Sequence, residues 1–76
     1  MIAKLYNGTE VTEGDVVEFT NSDYEICRDV IKRRDIDGSL YYWNSLYEIT
    51  DYQSARKVEP IEGETYPSVT RPSYLK

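Results

Sequence analysis

Short runs of β-branched and aromatic residues, each fed by a glycine turn, recur along this chain and restrict it to a small β-rich fold. Asn7-Gly8 is the first turn, where glycine supplies the positive φ that a tight hairpin needs. Glu13-Gly14-Asp15 is the second and opens onto Val16-Val17-Glu18-Phe19-Thr20, whose branched and aromatic side chains suit a strand. Asp37-Gly38 is the third, ahead of the aromatic run Ser39-Leu40-Tyr41-Tyr42-Trp43. Leu46-Tyr47-Glu48-Ile49-Thr50 alternates as a half-buried strand does, and Arg56-Lys57-Val58-Glu59 reads as a short closing strand. Strands this short, with turns this frequent, point to a mainly β fold and a small barrel.

Residues 22–34 support two readings. Ser22 and Glu25 have capping-box spacing, and Ile26, Cys27, Val30 and Ile31 fall on one helical face. Acidic residues come early and Lys32, Arg33 and Arg34 late, which suits a helix macrodipole. Against that short helix, Val30-Ile31-Lys32-Arg33 and Leu40-Tyr41-Tyr42-Trp43 flank Asp35-Ile36-Asp37-Gly38 as the arms of a hairpin would. The domain is expected over residues 1–59. From Pro60 three prolines punctuate a stretch poor in aliphatic residues, so 60–76 reads as an extended or disordered tail.

The composition excludes several chemistries. With 76 residues the chain makes one small domain of thin stability. It has no His and one Cys, which removes imidazole-based nucleophile systems, an intramolecular disulfide and an ordinary structural zinc site. Asp35-Ile36-Asp37-Gly38 starts like a calcium loop, but Leu40, Tyr41 and Trp43 stand where later oxygen ligands belong, so it reads as an acidic turn. Cys27 lies in an apolar stripe and reads as a buried structural thiol. No cofactor, metal or catalytic residue is expected, and the chain reads as a non-enzyme. No apolar run approaches membrane-spanning length, and the N-terminal residues lack a signal-peptide core, so a cytoplasmic location is expected.

Asn7-Gly8-Thr9-Glu10-Val11-Thr12-Glu13-Gly14-Asp15-Val16-Val17-Glu18 resembles the opening of YopX-like proteins of phages and prophages. Val30–Arg33 with Asp37–Tyr42 is similar to that family's central hairpin, and Leu46–Ile49 and Arg56–Glu59 to its closing strands, so the resemblance covers about residues 7–61. It implies an SH3-like small β-barrel of phage or prophage origin, and it brings no catalytic residues.

Eight Tyr and one Trp are a heavy aromatic load for so short a chain. Such side chains join an apolar body to a polar tip and suit interfaces. On a strand Tyr41 and Trp43 share one face and Tyr42 takes the other. A protein-binding patch is therefore expected at Tyr41, Tyr42, Trp43 and Tyr47, with Tyr24 beside it. The net charge of -5 adds a candidate acidic surround of Glu10, Glu13, Asp15, Glu18, Asp23 and Glu25. The leading expectation is a non-enzymatic interaction protein that binds or inhibits a host or viral protein. The alternative is a small nucleic-acid-binding barrel that uses Arg28, Lys32, Arg33 and Arg34, with Tyr and Trp stacking on bases. Self-association through an uncovered strand edge stays open.

Overall fold

The computed structural model describes residues 2–72, with side chains through residue 69. Eight strands follow in chain order: β1 (Ala3–Lys4), β2 (Glu10–Val11), β3 (Val16–Thr20), β4 (Glu25–Val30), β5 (Lys32–Arg33), β6 (Leu40–Tyr41), β7 (Arg56–Val58) and β8 (Ser68–Pro72). β1 pairs with β2 and β5 with β6, while the order β7-β3-β4-β8 makes a four-stranded antiparallel sheet. The fold is mainly β, as the turn spacing predicts. Its strands form three sheets and do not close into one barrel among the described residues.

The helical reading of residues 22–34 is overturned, because no helix occurs among the described residues. Instead of a capping box, Asn21 closes a hairpin. Its Oδ1 accepts the Asp23 and Glu25 backbone N–H groups at 3.0 and 2.9 Å, and its backbone N–H donates to the Glu25 carbonyl. β4 then pairs with β3 without a break from Thr20↔Ile26 to Val16↔Val30. In that register Cys27 and Asp29 bury on one face with Val17 and Phe19. Partner strands on both sides outweigh the local helical pattern, as tertiary context commonly does.

The strand expected at 46–50 is also absent, and the one expected at 39–43 shrinks to Leu40–Tyr41. Side chains intercept the backbone there. Asn44 Oδ1 accepts the Leu46 N–H at 2.9 Å, and Asp51 Oδ2 accepts the Glu48 N–H at 2.9 Å. Asn and Asp offer the chain local turns that compete with a ladder.

The core gathers Leu5, Val11, Val17, Phe19, Cys27, Ile31, Leu40, Tyr42 and Ala55. β7 and β8 lie at opposite edges of the large sheet, so residues 59–67 must cross it. They cross on the face away from the core: Arg28 alternates with buried Cys27 and Asp29, and Arg28 is where Glu64 binds. Residues 60–67 turn once, with the Glu64 N–H donating to the Ile61 carbonyl at 3.0 Å, and Ser68–Pro72 then joins the sheet as β8 beside β4, so the stretch expected as a tail is tied to the sheet at that strand. Residues 73–76 lie outside the described residues.

Candidate functional site

Most of the rings expected at the surface are used inside. Tyr42 is 2% exposed, and its hydroxyl donates to the Ile49 carbonyl at 3.3 Å. Phe19 is the hub, with ring centroids 5.0 Å from Tyr42, 5.4 Å from Trp43 and 4.8 Å from Tyr52. Tyr47 extends the cluster by an edge contact to Tyr52 at 5.5 Å. Burial, helped by the nearby Tyr47, pushes the Tyr52 phenol up to about 12, and burial raises that of Tyr42 as well. The alternation predicted for 41–43 fails at its last residue. The strand ends at Tyr41, and Trp43 turns with φ of 70° to join Tyr42 in the same cluster. Of the five expected contact residues, Tyr41 is half-buried under Lys32, whose Nζ lies 5.5 Å from its ring centroid. Tyr24 alone stands well out, 72% exposed at the tip of the β3–β4 hairpin with φ of 61°.

Asp29 explains the Trp43 turn. Its carboxylate is fully buried and accepts from Trp43 N–H at 2.7 Å, Lys32 Nζ at 2.9 Å and Val30 N–H at 2.8 Å. A buried charge persists only when paired and hydrogen-bonded in this way. The sequence gives a faint signal: in an alternating strand, Asp29 shares a face with Cys27 and is three residues from a lysine. Cys27 itself is buried as expected. Burial first, and the Glu25 charge second, push its thiol up to about 11.

The four basic candidates do not form one stripe. Arg28 lies on the outer sheet face between Glu18 (3.3 Å) and Glu64 (3.0 Å), and Arg56 meets Glu18 from the other side at 2.7 Å. The hydrogen bond from Arg56 holds the Glu18 carboxyl below its ordinary value, with the Arg28 charge adding to the effect. Lys32 faces Asp29, Arg33 sits 3.7 Å from Glu13, and Arg34 pairs with Asp37. The acidic candidates are equally dispersed. Asp15 meets Lys57 at 3.5 Å and caps the Thr12 N–H at 2.9 Å. Glu25 accepts from Asn21 Nδ2 at 3.0 Å, while Glu10 and Asp23 are exposed.

A different surface is concave. An open groove of about 440 Å³ lies between the β5–β6 turn and the turn after Trp43, lined by Arg33, Arg34, Asp35, Ile36, Tyr41 and Leu46. Its two aliphatic residues are the most exposed large apolar side chains among the described residues, Ile36 at 88% and Leu46 at 83%. Both turns are fastened. Arg34 Nη1 donates to the Ser45 carbonyl at 2.8 Å, and Arg34 Nε stands 3.2 Å from Asp37 Oδ1, close in distance but off hydrogen-bond geometry. Asp37 Oδ1 accepts the Ser39 N–H at 3.0 Å, a bond that lowers the Asp37 pKa. Arg34 N–H donates to the Ser39 carbonyl and Gly38 N–H to the Arg34 carbonyl. One guanidinium thus ties the two walls together. In the sequence Leu46 reads as the first residue of a half-buried strand and Ile36 as part of an acidic turn, and neither reads as a contact residue. The available signal was an aliphatic residue between two aspartates in a glycine turn, a place no core can reach.

No protein-family model, curated protein or solved structure matches the chain. Among the described residues no helix is long and apolar enough to cross a membrane.

Proposed function

We propose that this protein is a non-enzymatic interaction module whose contact surface is the groove between residues 33–36 and 41–46. The observation that carries the proposal is that Ile36 and Leu46, almost fully exposed, line one groove on two turns joined by the Arg34–Ser45 hydrogen bond. Folding gains little from apolar side chains left in water, and exposed aliphatics beside a preorganised cleft are a common mark of recognition sites. Tyr41 is the one residue of the expected aromatic patch that lines this groove. Recognition in place of chemistry also suits a chain without His whose single thiol is buried. The resemblance of residues 7–61 to YopX-like proteins extends the proposal to a phage- or prophage-encoded binder of a host or viral protein.

Photocrosslinking in the native cell tests this reading. A benzophenone side chain at Ile36 or Leu46 gives one discrete adduct, and the same group at exposed Glu10 on β2 gives none. Adducts from Glu10 alone, or an equal smear from every position, overturn it.

A further inference from the structure

We infer that Tyr24 is a second contact point, a fixed ring at the tip of the β3–β4 hairpin that enters a pocket on another protein whose rim is basic. This tip is separate from the groove, which is built from residues beyond the other end of β4. Two hairpins of the chain make the same turn. In one, Leu5 N–H donates to the Thr9 carbonyl and Gly8 N–H to the Leu5 carbonyl; in the other, Asn21 N–H donates to the Glu25 carbonyl and Tyr24 N–H to the Asn21 carbonyl. Gly8 and Tyr24 thus hold the same place, with φ of 88° and 61°. A side chain there strains the backbone, and glycine avoids the strain. Among the described residues only Trp43 otherwise takes a positive φ without being glycine, and its ring packs into the Phe19 cluster while its N–H reaches Asp29. The Tyr24 ring gains nothing comparable, since it stands 72% exposed. A strained residue that folding does not use is held for something outside the fold.

The tip is also stiff. Asn21 is buried, and its side chain bonds the Asp23 N–H, the Glu25 N–H and the Glu25 carboxylate. An aromatic ring on a preorganised base loses little freedom on binding and is a common anchor. Charge selects the partner. Residues 21–25 carry Asp23 and Glu25 and no basic residue, and Arg71, opposite Ile26 in the sheet register, leaves the tip negative when counted in. Nucleic acid would bring its phosphates against these carboxylates, so the ring does not serve as a base platform. A protein pocket with Arg or Lys at its lip suits both the ring and the charge.

Crosslinking with competition, on the whole chain, tests this contact. A benzophenone side chain is placed at exposed Ser22, beside an intact Tyr24, and the protein is irradiated in extract of its native cell with unlabelled protein as competitor. One discrete protein adduct forms, and the parent competitor suppresses it. Tyr24→Gly, with the residue the turn favours and the circular dichroism of the parent, needs at least about tenfold more protein to do so, the loss of one anchor ring. Tyr24→Asn, also at ease in that conformation, behaves the same way. Asp23→Lys competes severalfold less well, and its deficit narrows in high salt. Tyr24→Gly or Tyr24→Asn competing as well as the parent overturns the contact, and misfolding cannot produce that result. The absence of a discrete adduct, an adduct to nucleic acid, or better competition by Asp23→Lys overturns it too. An adduct to a second copy of this chain, with concentration-dependent sedimentation that Tyr24→Gly abolishes, overturns a foreign partner. Adducts from Ile36 and Leu46 are scored separately, so the tip and the groove fail independently.

Discussion

The four-stranded sheet and the turns around β5 and β6 are held by different means. In the sheet, β3 and β4 exchange partners through five consecutive pairs, and side chains sort by face into the Phe19 cluster or the Arg56–Glu18–Arg28–Glu64 row. Around β5 and β6 only two pairs form, and backbone shape depends on Asp37, Asn44, Asp51 and Arg34 acting as caps. A ladder alternates its side chains, so an apolar residue on the right parity is buried. A capped turn fixes its tip outward whatever residue occupies it. The two most exposed aliphatics, Ile36 and Leu46, sit where caps, not ladders, set the chain. Asp29 is the joint between the two regions, because it belongs to β4 and grips Trp43 and Lys32.

That joint gives the largest expected effect. Asp29→Ala leaves the Trp43 N–H and the Lys32 ammonium without their buried acceptor and lowers stability by about 3 kcal/mol. Denaturant unfolding followed by both circular dichroism and the fluorescence of the single Trp measures it. The two signals fall together if sheet and turns fold as one unit. A variant whose Trp signal loosens early while the sheet keeps its midpoint would split the molecule into two units.

The same contrast explains what could be read in the chain beforehand. β3 was legible to the residue, because Val16, Val17 and Phe19 are β-formers directly after a glycine turn. The hairpin of β5 and β6 around Asp37-Gly38 was legible too. β4 was not, since Ile26, Cys27, Val30 and Ile31 fit a helical face as well as a strand, and only pairing with β3 and β8 decides between them. The rings misled for a related reason. Their number is visible in the sequence. Their capacity to stack on one another around Phe19, and so fill a core of few aliphatics, depends on a Trp43 backbone turn fixed by a carboxylate fourteen residues earlier. The groove was hidden because Ile36 and Leu46 are brought to one place by the Arg34–Ser45 bond, which no spacing rule anticipates.

A second test sits at the tip of the sheet's own hairpin. Tyr24 holds φ of 61°, and its N–H donates to the Asn21 carbonyl, in the hairpin position where glycine is at ease. A non-glycine residue there costs about 1–2 kcal/mol, and at 72% exposure the ring recovers little of it by packing. Tyr24→Gly raises the unfolding free energy by about 0.5–1 kcal/mol, after allowing for glycine's freer unfolded chain. A loss of stability would mean that the tip is held by contacts of the ring and not merely tolerated.

The charge row on the outer face contributes less. Glu18 is mostly buried between Arg28 and Arg56, and Glu18→Gln lowers stability by about 0.5 kcal/mol at neutral pH. The sign of its pH dependence follows from the lowered pKa. The stabilisation is complete above the ordinary glutamate value of 4.5 and disappears as the pH falls through the lower folded value. Parent and variant therefore converge in acid and separate above that range in denaturant midpoints taken across pH. Curves that stay parallel down to the acid limit would show that Glu18 acts by packing alone.

The smallest effect falls on the turns, and it bears most directly on function. Ile36 is 88% exposed on a turn whose backbone is set by Asp37, Gly38 and Arg34. Removing its side chain takes almost nothing from the core, so Ile36→Ser changes the unfolding free energy by less than about 0.5 kcal/mol. The same change at a ladder position of the sheet, Val17→Ser, leaves a cavity and a buried hydroxyl and costs several times more. If Ile36→Ser proves as costly as Val17→Ser, Ile36 packs against something in the folded chain and is not a surface held ready for a partner. If it is silent in stability but weakens capture by the groove, the aliphatic side chain is kept at the tip for what it touches outside this molecule.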